Sequence, residues 1–267
     1  MALLRKTQSH LRSSHRGGKG CLWLNAVIWF VLGLVVGSFL NVVIYRIPRK
    51  IKLHDPSRSF CPHCGATIAW YDNIPLLSYL ILKGRCRNCG DPISPGYPLV
   101  ELLTALGFMA GGLVFDTLGA LFNALVVASL VVLTFIDLET LTIPDTSVII
   151  VLIAGLMWNV LKGEPWYLHL LTGAVVLVLA YLLAFFSKGL GMGDVKLLGA
   201  MGVLLGAYGT LFAVLVASIV GSIVALYLLA RKRVNMKTKI PFGPFLALGT
   251  FVSLYLSERF FALLGGS

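Results

Sequence analysis

The sequence predicts an all-α polytopic membrane protein with about eight transmembrane helices and a small cytoplasmic zinc-binding loop domain between the first two. Three observations carry this. Of 267 residues, 58% are hydrophobic and only 12% charged, against about 25% charged in an average soluble domain. Uncharged apolar runs recur along the chain, several reaching the ~20 residues that a helix needs to cross a bilayer. The segment that interrupts them, residues 46–96, holds eight of the 22 Lys and Arg, six of the 11 Pro and four of the five Cys. A net charge of +11 requires no nucleic acid, because the cytoplasmic loops of membrane proteins collect Lys and Arg.

Residues 1–20 carry Arg5, Lys6, Arg12, Arg16 and Lys19 among Ser, Gly and His. That composition, without apolar periodicity, predicts a disordered basic tail and no cleavable signal peptide. Cys21 to Tyr45 is uncharged for 25 residues and predicts the first span. It ends in Gly37-Ser-Phe-Leu-Asn41, small and polar residues suited to helix packing. Within the polar domain 46–96 nothing is long enough to cross, and Ile74 to Leu82 is expected against the membrane surface. Residues 97–267 are expected to form a seven-helix membrane core. Its runs are Pro98–Phe115, Thr117–Ile136, Thr146–Leu161, Trp166–Ser187, Leu197–Ala230 and one starting at Ile240 and reaching Ser257 or beyond. Leu197–Ala230 has 34 uncharged residues, too many for one crossing, and is expected to break near Gly206-Ala-Tyr-Gly209. With the cysteine domain in the cytoplasm, the loops on that side carry 15 of the 22 Lys and Arg, against seven elsewhere. The positive-inside rule supports this orientation, although the five cations of the tail oppose it.

Cys61-Pro-His-Cys64 and Cys86-Arg-Asn-Cys89 are two C-x2-C pairs. Each fits one edge of a tetrahedral site, and four thiolates leave no open position, so Zn²⁺ would be structural here. Two disulfides are the alternative, disfavoured by the paired spacing and by a reducing cytoplasm. His63 reads as a surface residue.

Lys188-Gly-Leu-Gly-Met-Gly-Asp194 breaks two long apolar segments and ends in a carboxylate. Gly189, Gly191 and Gly193 allow close backbone approach or unusual φ, and the bland reading makes Asp194 the N-cap of the next helix. A second acid changes the balance. Asp137 closes the third span, and an even number of crossings returns the chain to the same face by Asp194. Two adjoining carboxylates share a proton, so one can act as base and the other as acid toward a bound water. The aspartic-protease dyad is a general pattern of this kind. Asp145, after Pro144, reads as a helix N-cap, and Glu139 as a solvated loop residue. Glu101, one turn into a span, is a functional candidate or the partner of a loop Arg or Lys. His169 reads as interfacial. Lys196 either holds the carboxylate of Asp194 ionised or snorkels.

With Gly37-Ser-Phe-Leu-Asn41, both C-x2-C pairs, Asp72-Asn-Ile-Pro-Leu-Leu-Ser78, Tyr97-Pro-Leu-Val-Glu101, Asp137 to Asp145 and Gly191-Met-Gly-Asp194, the chain resembles the bacterial type IV prepilin peptidases, membrane aspartic proteases of the GxGD class. The match covers nearly everything after residue 30; the basic tail has no counterpart. The resemblance implies an inner-membrane enzyme with its active site facing the cytoplasm, which removes the short basic leader from type IV prepilins and pseudopilins. It implies Asp137 and Asp194 as the catalytic pair, and methylation of the new N-terminal residue with S-adenosylmethionine, associated with the N-terminal half. No glycine-rich dinucleotide signature places the methyl donor.

Three other readings remain. A transporter should show repeated halves and polar groups at mid-membrane, whereas these acids cluster at one face. A methyltransferase without protease activity would not need both aspartates. A zinc-loop assembly protein would need no catalysis at all.

Overall fold

The computed structural model describes residues 19–54, 58–187, 189–231 and 238–263. The expected disordered tail therefore lies outside the described residues, apart from its last two. The described chain is helical: α1 (Lys19–Arg46), a short α2 (Leu77–Ile81), α3 (Gly96–Val114), α4 (Thr117–Thr140), α5 (Asp145–Leu161), α6 (Trp166–Ser187), α7 (Met192–Ala230) and α8 (Gly243–Leu263). Among these residues, α1, α3, α4, α6 and α7 are long and apolar enough to cross a membrane, while α5 and the apolar stretch Gly243–Ser257 of α8 are shorter. The long apolar surfaces that remain exposed, such as Leu179, Leu183 and Phe186 on α6, are the faces a bilayer would cover. The protein is a multi-pass membrane protein of helices, with a cysteine loop domain between its first two spans.

The chain divides into two compact units, residues 1–124 and 125–266. In the first, α1 and α3 pack antiparallel through small residues. A methyl group added to Gly37 would sit 2.8 Å from Cα of Glu101, so the two backbones meet there without an intervening side chain. Asn25 donates to the carbonyl of Gly112 at 2.6 Å and Asn41 to that of Tyr97 at 3.1 Å. These bonds satisfy part-buried amides and tie the two helices in register. At the end of α1, buried Arg46 donates to the carbonyls of Lys52 and Leu53 at 3.1 and 2.9 Å, which folds the polar domain back on the helix.

In the second unit, α7 packs against α5, α6 and α8, with Leu197, Met201 and Leu246 fully buried. The expected break occurs at Gly206, where φ is 67° and ψ −175° inside the otherwise helical α7. An L-residue resists that conformation. A Cβ there would also lie 3.0 Å from the ring of His169. His169 sits half-buried beneath the kink, with Nδ1 3.3 Å from the carbonyl of Val203, which also accepts from Asn159 at 2.8 Å. Gly206→Ala is expected to destabilise the protein by about 1–3 kcal/mol, read as a lowered Tm in detergent. An unchanged Tm would mean that the break does not depend on glycine.

Candidate active site

Four elements of the second unit converge on Asp137. It lies one turn before the end of α4 and is 5% exposed. The chain then turns through Leu141, whose φ is 56°, and Thr142-Ile143-Pro144 leads into α5. The backbone N–H of Gly243, at the start of α8, donates to Asp137 Oδ2 at 3.0 Å. On α7, Asp194 stands half-buried in the first turn, and its Oδ2 accepts the N–H of Gly191 at 3.3 Å. Gly191 is the N-cap, so Asp194 closes the first turn from inside the helix and is not its cap. Asp137 and Asp194 line one cavity of about 420 Å³, together with Leu141, Thr142, Ile143 and the Gly191–Gly193 turn.

Ile143 joins the parts of this site. A Cβ on Gly193 would come within 2.9 Å of Ile143 Cβ, and one on Gly243 within 3.2 Å of its Cδ1 and 2.7 Å of Asp137 Oδ2. Glycine at 193 and 243 is required by close approach. The residues 189, 191 and 193 do not use the left-handed φ that glycine permits. Gly243 does not stand out in the sequence, because nothing local to Pro241-Phe-Gly-Pro244 ties it to an aspartate 106 residues earlier. Its substitution has a large expected effect. Gly243→Ala should displace the Asp137 carboxylate and slow the reaction at this site at least tenfold, equivalent to about 1.4 kcal/mol of barrier, while Tm falls little. A variant with unchanged kcat would remove Gly243 from the site.

The neighbouring charges differ from expectation. Asp145 is the first residue of α5, with Pro144 at the N-cap position and no side-chain cap. Instead it pairs with Lys196 at 2.7 Å, so Lys196 serves Asp145 and not Asp194. Both are well exposed, and such a pair contributes little stability. Glu139 is exposed in the last turn of α4. Glu101 takes no Lys or Arg among the described residues; its Oε2 accepts the N–H of Leu76 at 2.8 Å.

In the first unit, Cys61, Cys64, Cys86 and Cys89 have their sulfurs all within 4.8 Å of one another, and none is in a disulfide. The two pairs form matching turns. Cys61 N–H donates to the Ala66 carbonyl and Cys86 N–H to that of Asp91, and Gly65 and Gly90 close each turn with φ of 70° and 75°. The Cys61 and Cys89 sulfurs are 3.9 Å apart, close to the ~3.8 Å edge of a tetrahedron with 2.3 Å metal–sulfur bonds. The hydrogen bond from Asn88 brings the Cys64 thiol down to about 6. Against the lowering N–H of Asp91, desolvation and the adjoining thiols push Cys89 up to about 12. Four crowded thiols cannot all ionise alone, and a bound divalent cation is what makes four thiolates compatible. His63 is exposed and 3.7 Å from Asp91, outside the sulfur cluster.

Two family models match the chain: the bacterial peptidase A24 N-terminal domain over residues 31–115 and the type IV leader peptidase family over residues 124–226. The chain is 38% identical over 269 residues to the prepilin leader peptidase/N-methyltransferase of Aeromonas hydrophila, covering 88% of this chain and 92% of that protein. It is 40% identical over 254 residues to the protein of the same name from Pectobacterium carotovorum subsp. carotovorum, covering 83% and 91%. It is also 41% identical over 264 residues to the type 4 prepilin-like proteins leader peptide-processing enzyme of Escherichia coli O78:H11, covering 88% and 95%. No solved structure matches.

Proposed function

The chain belongs to the type IV leader peptidase family, and from that premise we propose that it is an aspartic endopeptidase that cleaves the leader from type IV prepilins and pseudopilins. It then N-methylates the new N-terminal residue with S-adenosylmethionine. The observation that carries the peptidase reading is the shared cavity of Asp137 and Asp194, brought together from two helices of one unit. One oxygen of each carboxylate is held by a backbone N–H, which leaves the other for a water between them. The ionised aspartate takes a proton from that water, and the hydroxyl adds to the scissile carbonyl as the protonated partner donates to its oxygen. Collapse breaks the C–N bond: the departing amine takes the proton from the first aspartate, and one hydroxyl of the diol returns its proton to the second. The substrate must be extended at the cut, since helical hydrogen bonds would shield its carbonyl.

The break at Gly206 supports counting α7 as two crossings, for eight in all. The basic loops favour an inner-membrane protein with both aspartates on the cytoplasmic side. The sulfur geometry supports structural Zn²⁺ held by Cys61, Cys64, Cys86 and Cys89. Purified protein mixed with a synthetic prepilin peptide and S-adenosylmethionine tests the reading by mass spectrometry. The expected product has lost its leader and gained one methyl group. Absence of cleavage would refute the peptidase, and a cleaved but unmethylated product the transferase.

A further inference from the structure

Peptide hydrolysis and methyl transfer need different groups, and the aspartate cavity is assigned above to hydrolysis. A larger cavity, about 560 Å³, lies within the first unit, between the end of α1, the cysteine turns and the first turns of α3. Its size suits a nucleoside-sized ligand. Tyr45, Tyr71 and Tyr97 line it, and cations already stand over two of their rings, Arg49 at 4.2 Å from that of Tyr45 and Arg87 at 5.8 Å from that of Tyr71, as aromatic faces favour.

Methylating an α-amino group poses a charge problem. With a pKa of about 7.7–8.0 the amine is largely ammonium at neutral pH, so it has no lone pair to donate. It must also approach a methyl donor that is itself a cation. One buried carboxylate eases both difficulties, by attracting the ammonium and by accepting its proton, which leaves the sulfonium as the single positive charge. Three carboxylates line the cavity: Asp72, Asp91 and Glu101. Asp72 is committed to Arg87, which holds it bidentately with two 2.7 Å bonds and keeps it below the usual carboxylate range. Asp91 belongs to the cysteine turns: its carbonyl accepts the Cys86 N–H at 2.8 Å, and its carboxylate lies 3.7 Å from His63. Glu101 remains. It is 9% exposed, and the Leu76 N–H fixes its Oε2 at 2.8 Å. Leu76 has a φ of 59°, a strained value for leucine that persists where the surroundings hold it. This is a wall built to keep a carboxylate in place.

We propose that Glu101 receives the new N-terminal amine in this cavity and removes its proton, which makes the cavity the methyl-transfer site. The assignment rests on the N-methyltransferase reading above. The ammonium gives its proton to Glu101, and the freed lone pair forms the new N–C bond to the methyl carbon. The C–S bond breaks with its electron pair going to sulfur, so the positive charge passes from sulfonium to the methylated nitrogen.

The test uses full-length protein in lipid vesicles and a mature-pilin peptide with a free or an acetylated N-terminus. With S-adenosylhomocysteine present, calorimetry should show the wild type binding the free amine at least tenfold more tightly than the acetylated peptide. Glu101→Gln should bind the two alike and transfer methyl at least about a hundredfold more slowly, and Glu101→Asp should recover part of the rate. Glutamine can still accept the Leu76 N–H, so leader cleavage by the same sample should persist and report an intact fold. Wild-type methyl transfer or a retained amine preference in Glu101→Gln would overturn the placement alone. Equal loss of cleavage and transfer would make Glu101 structural, again overturning it. A wild type that transfers no methyl group would remove the underlying reading as well.

Discussion

Replacing either Asp137 or Asp194 by Asn is expected to lower leader cleavage by about a thousandfold or more. Asn keeps the side chain's volume and one acceptor oxygen, so Asp137→Asn can still receive the Gly243 N–H that the aspartate receives at 3.0 Å. It cannot take a proton from water. The loss should therefore appear in kcat, with substrate KM and Tm little changed. Methyl transfer to a pre-cleaved peptide should continue in both variants, because Glu101 belongs to the other unit. Appreciable cleavage by either variant would remove that residue from catalysis.

Loss of the metal should be nearly as severe for the first unit. Each purified chain should hold one zinc ion by elemental analysis, and Cys86→Ser or a strong chelator should release it. Structural zinc supplies about 10–16 kcal/mol of apparent binding free energy in small zinc-folded peptides. Among the described residues, 47–95 form a five-residue α-helix, a single 3₁₀ turn and two isolated bridges, which cannot replace that contribution. The segment should become sensitive to added protease, and methyl transfer should fall by at least a hundredfold as the cavity beside the cysteine turns loses its wall. A zinc-free protein whose segment 47–95 resists proteolysis would contradict the structural role. So would disulfides recovered from reduced preparations.

Much of the architecture was legible because a bilayer imposes strong rules. Long uncharged runs became helices, and the excess length of Leu197–Ala230 required a break, found at Gly206. The cysteine spacing likewise announced four sulfurs that the structure gathers. Long-range partnerships were the illegible part. Local pattern made Asp145 a helix cap, yet a lysine 51 residues away claims it. For Glu101 the sequence left a functional role and a basic partner both open, and it could not show that a strained backbone turn supplies the donor. Gly243 carries no chemistry of its own. Only the packing of α8 beside α4 reveals that its N–H and its missing side chain both serve Asp137.

Single-turnover leader cleavage by Asp137→Asn, Asp194→Asn and the double variant tests most directly whether one solvent molecule is activated by two acids working as a unit. Groups that act together are strongly non-additive, so the double variant should retain the same residual rate as each single one. Losses that multiply would show two independent contributions and contradict the account.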